Sequence, residues 1–343
     1  MEQPTVSEQQ PHAFTEDRYE RMRYRRCGAS GLHLPAISLG AWETFGGYRG
    51  EEVARACLFR AFDLGITHFD LANNYGTPPG NAETIVGRVL REMPRDELII
   101  STKAGYRMWP GPYGDGLSKK YLVASLDQSL KRLGLEYVDI FYAHRPDPET
   151  PLEETMAALD LMVRQGKALY IGVSNFSGAE FAAAVRVCDR MGLAPITAHQ
   201  THYNLLDRAP EWDLFPQTQR VGTGVIAFSP LASGLLTDKY IGGAIPADSR
   251  AAQKWGKEWL ERELTLERRE VLEGLQQNAQ ERGQTLAQLA VAWLLHRPQV
   301  TSVLIGASKV EQIEENVRAL DNLAFTEGEL HTIDALTLHA PRS

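Results

Sequence analysis

Three apolar runs of this chain end in polar residues of different chemistry. The run at residues 66–69 is followed by Asp70, the run at 98–102 by Lys103 and the run at 138–143 by His144. Tyr75 lies a short distance beyond Asp70, in a polar turn. If the runs are neighbouring parallel strands, their C-terminal ends meet on one face, so we expect these four side chains to lie together.

This set of side chains suits the reduction of a carbonyl group. A carbonyl that accepts hydride develops negative charge on its oxygen and needs a proton, which Tyr75 would donate. The ammonium group of Lys103 would stabilise the phenolate and lower the pKa of Tyr75 from about 10 by ~2–3 units, or roughly 3–4 kcal/mol. Asp70 would keep Lys103 charged, and neutral His144 would donate a hydrogen bond to the carbonyl oxygen.

Each of these residues taken alone also has a structural explanation. An aspartate at a strand end often caps a turn, a loop tyrosine usually packs, and a lone histidine is often a core residue. A lysine that ends an apolar run is harder to explain, because a buried amine needs a partner. The occurrence of all four at adjacent strand ends favours the functional interpretation.

Composition and charge narrow the class of protein. The 343 residues are 43% hydrophobic and 23% charged, as in soluble globular proteins, and the net charge of −8 argues against a general nucleic-acid binder. No apolar stretch approaches the ~18 residues of a membrane span, and the polar N-terminus does not resemble a signal peptide. The three distant cysteines indicate reduced thiols in a cytoplasmic protein. We expect no metal site.

The order of apolar runs and helical patterns predicts a (β/α)₈ TIM barrel. The predicted strands cover residues 37–42, 66–70, 98–103, 137–144, 168–174, 196–200, 224–229 and 302–306, with helical patterns between them and a helix after the last. An open doubly wound sheet is the alternative, but no G-x-G-x-x-G turn follows an early strand. We expect a flexible arm at 1–22, a single barrel domain at 23–343 with an N-terminal β-hairpin, and long loops after strands 3 and 7.

The four polar residues stand as in the aldo-keto reductases, whose catalytic tetrad is Asp, Tyr, Lys and His. The resemblance covers about residues 24–335. Its motifs are residues 65–70 with Tyr75 and Gly76, residues 172–176, and residues 306–308 followed by Gln312, Glu315 and Asn316. The stretch at 108–116 is most similar to the branch that holds the bacterial L-glyceraldehyde 3-phosphate reductases, near the potassium-channel β-subunits.

The resemblance implies NADP(H) bound across the barrel mouth without a Rossmann fold. The positions implied to contact it are Trp42, Ser174, Asn175 and Gln200 near the nicotinamide, Ser229, Pro230, Leu231 and Gly234 along the pyrophosphate, and Lys239, Arg250, Gly306, Ser308, Gln312, Glu315 and Asn316 towards the 2′-phosphate and adenine. Ser308 precedes a predicted helix, whose free N–H groups attract anions. Lys239 and Arg250 would favour NADPH over NADH, unless they are solvated loop charges.

Substrate contacts are expected at Trp42, Tyr75, Trp109 and His144. Trp42 and Trp109 would form apolar walls of the pocket, with core packing as the alternative. Four cations are open candidates for a substrate phosphate: Arg145, for which an ion pair is the favoured alternative, and Arg107, Lys119 and Lys120.

Three functions compete for this sequence. The first is a reductase of small aldehydes and ketones, with L-glyceraldehyde 3-phosphate and methylglyoxal as initial substrates. The second is an NADPH-binding regulatory β-type subunit that senses redox state. The third is an isomerase or aldolase that forms a Schiff base on Lys103, which ranks last because Asp70 would raise the pKa of that lysine. The resemblance also implies a homo-oligomer, a tetramer or larger.

Overall fold

Eight parallel strands form the centre of the fold, which a computed structural model describes for residues 12–240, 252 and 256–338. Two antiparallel strands, β1 (Tyr24–Arg26) and β2 (His33–Pro35), form a hairpin before the barrel. The eight barrel strands are β3 (Ile37–Gly40), β4 (His68–Asp70), β5 (Ile99–Ala104), β6 (Val138–Ala143), β7 (Ala168–Ser174), β8 (Ile196–His202), β9 (Gly224–Phe228) and β10 (Val300–Gly306). In this part of the chain β3 to β10 pair in sequence order, and β10 pairs with β3 to close the ring. The predicted (β/α)₈ barrel and its N-terminal hairpin are therefore confirmed.

Helices cover the outer surface of the barrel. They are α1 (Arg18–Arg21), α2 (Glu51–Asp63), α3 (Asn81–Leu90), α4 (Lys119–Leu133), α5 (Leu152–Arg164), α6 (Gly178–Met191), α7 (Phe215–Val221), α8 (Gly256–Glu263), α9 (Leu266–Glu281), α10 (Leu286–His296), α11 (Val310–Val317) and α12 (Glu327–Thr337). Because helices cover one face of each strand and the barrel core the other, strands such as β6 are buried along their whole length. None of the described helices is long and apolar enough to cross a bilayer.

The N-terminal segment lies against helix α2. Phe14 packs edge-on against Phe59 and Phe62, with ring centres 5.1 and 4.9 Å apart. The backbone N–H of Thr15 donates to Asp63 Oδ1 at 2.9 Å. Residues 12–22 of the predicted arm thus pack on the barrel, and residues 1–11 lie outside the described residues.

The β1–β2 hairpin closes the N-terminal end of the barrel. The backbone N–H of Ala29 donates to Gly222 O at 2.7 Å, just before β9 begins. Gly28 has a φ of +57°, and a Cβ built on it would lie 2.0 Å from Gly222 O, so no other residue fits this turn. Access to the barrel interior is therefore from the opposite end, where the strands terminate.

Two buried histidines should make the fold sensitive to acid. Burial lowers the pKa of both His68 and His199 to about 4, whereas histidine in an unfolded chain titrates near 6.5. The unfolded chain therefore takes up these protons first, so stability that is complete above pH 6.5 is lost as the pH falls towards 4. The loss is about 1.4 kcal/mol per pH unit for each histidine.

Urea unfolding of the parent and a His199→Phe variant between pH 6 and pH 4.5 measures this effect. The free energy of unfolding of the variant should fall less steeply, by about 1.4 kcal/mol per pH unit, because one titrating group is gone. Equal slopes would contradict the prediction.

Candidate active site

A buried ion pair lies at the C-terminal ends of β4 and β5. Lys103 Nζ is 2.5 Å from Asp70 Oδ2 and also donates to Leu71 O at 2.6 Å, and both charged side chains are at most 1% exposed. The other carboxylate oxygen of Asp70 accepts from Ser101 Oγ at 2.6 Å and from Gln200 Nε2 at 3.0 Å. These hydrogen bonds offset the cost of burying two charges.

Tyr75 and His144 lie next to this pair. Lys103 Nζ is 5.1 Å from the centre of the Tyr75 ring, and the Tyr75 and His144 rings are 5.8 Å apart at an interplanar angle of 72°. The structure therefore brings together the four side chains that the sequence singled out, at the open end of the barrel: Asp70, Tyr75, Lys103 and His144.

Burial sets the protonation of the tyrosine. It raises the pKa of Tyr75 well above 10, and the negative charge of Asp70 raises it further. Burial has the opposite effect on Lys103, because it disfavours the charged ammonium and lowers the pKa. The negative charge of Asp70 opposes this shift. The expectation that Lys103 brings the pKa of Tyr75 below 10 is wrong for this structure, because desolvation of the phenol outweighs the effect of the ammonium, which lies over the ring beside its own counter-ion. Tyr75 is thus protonated at neutral pH, as a proton donor must be.

His144 is neutral at neutral pH, as expected. Burial lowers the pKa of His144 well below 6.5, and the positive charges of Lys103 and Arg145 add to the shift. Its Nδ1 is buried without a hydrogen-bond partner in the described part of the chain. The Tyr106 ring packs edge-on against the imidazole, with centres 4.7 Å apart. A neutral imidazole keeps one N–H, which can donate a hydrogen bond to a substrate oxygen.

A cavity of about 730 Å³ extends from these residues along the ends of β7 to β10. Asp70, Tyr75 and His144 line one part of it. The predicted cofactor residues that line it are Trp42, Ser174, Asn175, Gln200, Ser229, Pro230, Leu231, Gly234, Lys239, Gly306, Ser308, Gln312, Glu315 and Asn316. Arg250 lies outside the described residues. The volume is within the usual range of about 300–1,000 Å³ for small-molecule sites.

Several features of the cavity wall fit a nucleotide. Asn175 and Ser229, at the ends of β7 and β9, have φ values of +60° and +55°, a strained conformation that is typical of ligand sites. Asn316 Oδ1 is buried without a hydrogen-bond partner among the described residues. Ser308 precedes α11 and donates from its backbone N–H to Gln312 Oε1 at 2.8 Å. Lys239 brings a positive charge to the same wall.

The aromatic wall near Tyr75 differs from the one expected. Trp109 packs against Tyr121, with ring centres 5.2 Å apart, and is not among the residues that line the cavity. Tyr48 and Tyr106 line it instead, beside Trp42. Tyr106 lies two residues after the end of β5, so the strand-end position that identified His144 was a usable signal for it. Tyr48 lies in the loop before α2, where no sequence pattern indicated it.

The four candidate cations for a substrate phosphate lie outside the lining of this cavity. Arg145 donates to Gly105 O at 2.8 Å and pairs with Asp115 at 2.9 Å, which is the structural alternative that the sequence favoured. Lys120 lies over the Tyr113 ring, 5.3 Å from its centre. Arg107 is exposed, and Lys119 begins α4.

Comparisons with known proteins agree with this geometry. The family model described as "Aldo/keto reductase family" matches residues 36–337, which include every barrel strand of the described chain. The chain is 56% identical over 324 residues, 93% of each protein, to L-glyceraldehyde 3-phosphate reductase of Escherichia coli (strain K12). It is also 41% identical over 305 residues, 88% of this chain and 92% of the relative, to a protein of Arabidopsis thaliana named as a probable voltage-gated potassium channel subunit beta.

Proposed function

This chain belongs to the aldo/keto reductase family, and we propose that it reduces small aldehydes and ketones with NADPH, using Tyr75 as the general acid. The observation that carries the proposal is the position of Tyr75 over the buried Lys103–Asp70 pair, at the edge of the cavity. L-glyceraldehyde 3-phosphate is the first substrate to test, because a 56% identical relative is named for its reduction. Methylglyoxal, a smaller carbonyl, is the second.

Each of the four polar side chains has a separate role in the proposed proton transfer. NADPH, when bound, supplies the hydride. Tyr75 donates its proton to the carbonyl oxygen. The high pKa of Tyr75 does not prevent this transfer, because an oxygen that has accepted hydride becomes an alkoxide. An alkoxide is about as strong a base as hydroxide, and water has a pKa of about 15.7. Lys103 stabilises the phenolate that remains, Asp70 holds Lys103 in place, and His144 donates a hydrogen bond to the substrate oxygen.

Other residues of the cavity wall support the proposed choice of NADPH as the cofactor. Ser174, Asn175 and Gln200 would hold the nicotinamide end, and Lys239, Ser308 and Gln312 would surround the 2′-phosphate. A phosphate next to a lysine and a serine hydroxyl forms charge-assisted hydrogen bonds that a cofactor without the phosphate lacks.

We therefore expect Lys239→Ala to weaken NADPH binding by about tenfold and to leave NADH binding unchanged. Quenching of tryptophan fluorescence during titration with each cofactor gives both dissociation constants. Lys120→Ala, which removes a lysine away from the cavity, is the matched control. Equal weakening of both cofactors, or a parent protein that binds NADH as tightly as NADPH, would contradict the proposed preference.

A regulatory role is the second candidate, because a 41% identical relative is named as a probable channel subunit beta. Steady-state NADPH oxidation with a panel of aldehydes discriminates between the two functions. Turnover supports the reductase, whereas tight NADPH binding without turnover supports the regulatory subunit. A Schiff base on Lys103 is disfavoured, since its Nζ is buried and already donates to Asp70 and Leu71. Borohydride trapping of a substrate on Lys103 would overturn that ranking.

We further propose a cellular compartment and an oligomeric state for this protein. Cys27, Cys57 and Cys188 are free and buried, which fits a protein of the cytoplasm. We also propose a homo-oligomer, a tetramer or larger, which sedimentation of the purified chain would test.

A further inference from the structure

A chain of buried hydrogen bonds runs through the barrel interior to Asp70. Ser302 Oγ lies 2.6 Å from Ser38 Oγ, and Ser38 Oγ lies 2.8 Å from His68 Nδ1. His68 Nε2 lies 2.9 Å from Ser101 Oγ, which in turn lies 2.6 Å from Asp70 Oδ1. The serines and the histidine are wholly buried, and they come from β10, β3, β4 and β5.

The charge at one end fixes the direction of every bond in this chain. An ionised carboxylate only accepts hydrogen bonds, so the Ser101 hydroxyl donates to Asp70. The Ser101 oxygen then accepts from His68 Nε2–H, which leaves Nδ1 of the neutral imidazole to accept from the Ser38 hydroxyl. The Ser38 oxygen accepts from Ser302. Burial lowers the pKa of His68 to about 4, which agrees with a neutral ring.

We propose that His68 is a positioning residue for the reaction: through Ser101 it holds the Asp70 carboxylate in the orientation that keeps Lys103 charged beside Tyr75. This inference rests on the proposed function. His68 and Ser101 are not among the described residues that line the cavity, so His68 acts through Asp70 and does not touch substrate.

Loss of the hydrogen bonds that orient Asp70 would change the pKa of Lys103. Burial lowers the pKa of Lys103, and Asp70 is the largest influence that raises it. An Asp70 free to turn away would let that pKa fall further, and the loss of activity at high pH would begin at a lower pH. The titratable groups that face Lys103 from the surrounding elements are Asp70, His68, Tyr75, Glu83, Tyr142 and His144.

Two substitutions at His68 separate its chemistry from its bulk. His68→Phe keeps a ring of similar size and removes both nitrogens. His68→Gln retains an amide N–H at about the reach of Nε2, so it can still donate to Ser101. His199→Phe is the matched control, because His199 is an equally buried barrel histidine whose Nε2 donates to Phe176 O at 3.0 Å.

Steady-state kinetics across pH 6–10.5, with cofactor titrations by fluorescence, give the readout. For His68→Phe we expect kcat to fall by about tenfold or more and the alkaline limb of the pH profile to move down by about half a unit or more. The dissociation constant for NADPH should stay within about twofold of the parent value. His68→Gln should recover most of kcat, and His199→Phe should match the parent in all three quantities.

The inference is overturned if His68→Phe matches His199→Phe in kcat and in the alkaline limb, or if His68→Gln is as impaired as His68→Phe. If His68→Phe does not fold, Ser38→Ala, which loses only one oxygen, replaces it as the test variant. A smaller shift of the alkaline limb in the same direction supports the role of the hydrogen-bond chain, and an unchanged alkaline limb overturns it.

Nitrogen NMR of parent protein labelled at its histidines adds a test that does not depend on turnover. A proton on Nδ1 of His68 would contradict the assigned direction of the hydrogen bonds. A parent protein without turnover defeats the proposed function, whereas an active parent with unaffected His68 variants defeats this inference alone.

Discussion

Replacing Tyr75 with phenylalanine is expected to lower kcat for carbonyl reduction by about 10²–10⁴-fold, with little change in cofactor affinity. The substitution removes only the hydroxyl. The ring keeps its place between Lys103 and His144, so the packing at the site is preserved. The loss of rate then reports the missing proton donor. Steady-state kinetics with a saturating aldehyde, together with NADPH titration by fluorescence, measure both quantities.

Tyr113→Phe is the matched control for this experiment. Tyr113 is exposed and lies outside the cavity lining, so removal of its hydroxyl should leave kcat at the parent value. A decrease of less than tenfold for Tyr75→Phe would show that another group donates the proton.

Lys103→Met is expected to destabilise the fold and to abolish most of the activity. The substitution leaves Asp70 as a buried charge without its counter-ion, and the loss of one partner from such a pair costs about 3–5 kcal/mol in the free energy of unfolding. The phenolate of Tyr75 also loses its stabilising ammonium, so kcat should fall by about a hundredfold or more. Urea unfolding and steady-state kinetics measure the two effects separately.

A double variant distinguishes the contributions to stability and to catalysis. Asp70→Asn combined with Lys103→Met removes both charges, so it should regain much of the stability that Lys103→Met loses. It should regain no activity, because the ammonium group is still missing. A Lys103→Met protein as stable as the parent, or a double variant with restored turnover, would contradict this account of the pair.

The positions of the site residues were predictable because of the barrel's parallel strands. Apolar runs buried on both faces are visible in sequence, and the residue that follows each run must lie at the open end. The β7 prediction at residues 168–174 has the bounds that the structure shows, whereas the predicted strand at 66–70 shortens to His68–Asp70. That difference lies at the N-terminal end, where pairing with neighbouring strands decides the boundary.

Properties that depend on distance and burial were not accessible in the same way. The direction of the pKa shift of Tyr75 depends on how deeply the phenol is buried and on where Lys103 lies relative to its ring. The exchange of Trp109 for Tyr106 at the cavity wall depends on how the loop after β5 folds over Tyr121. His68 lies inside an apolar run, and its hydrogen-bond partners Ser38 and Ser101 are 30 and 33 residues away in sequence.

Transfer of deuterium from NADPH labelled at nicotinamide C4 to an aldehyde tests the central claim most directly. The parent protein should place one deuterium on the former carbonyl carbon of each alcohol product, as read by mass spectrometry, and Tyr75→Phe should do so far more slowly. NADPH that binds in the cavity, as shown by fluorescence, but delivers no deuterium to any aldehyde of the panel would contradict the reductase function.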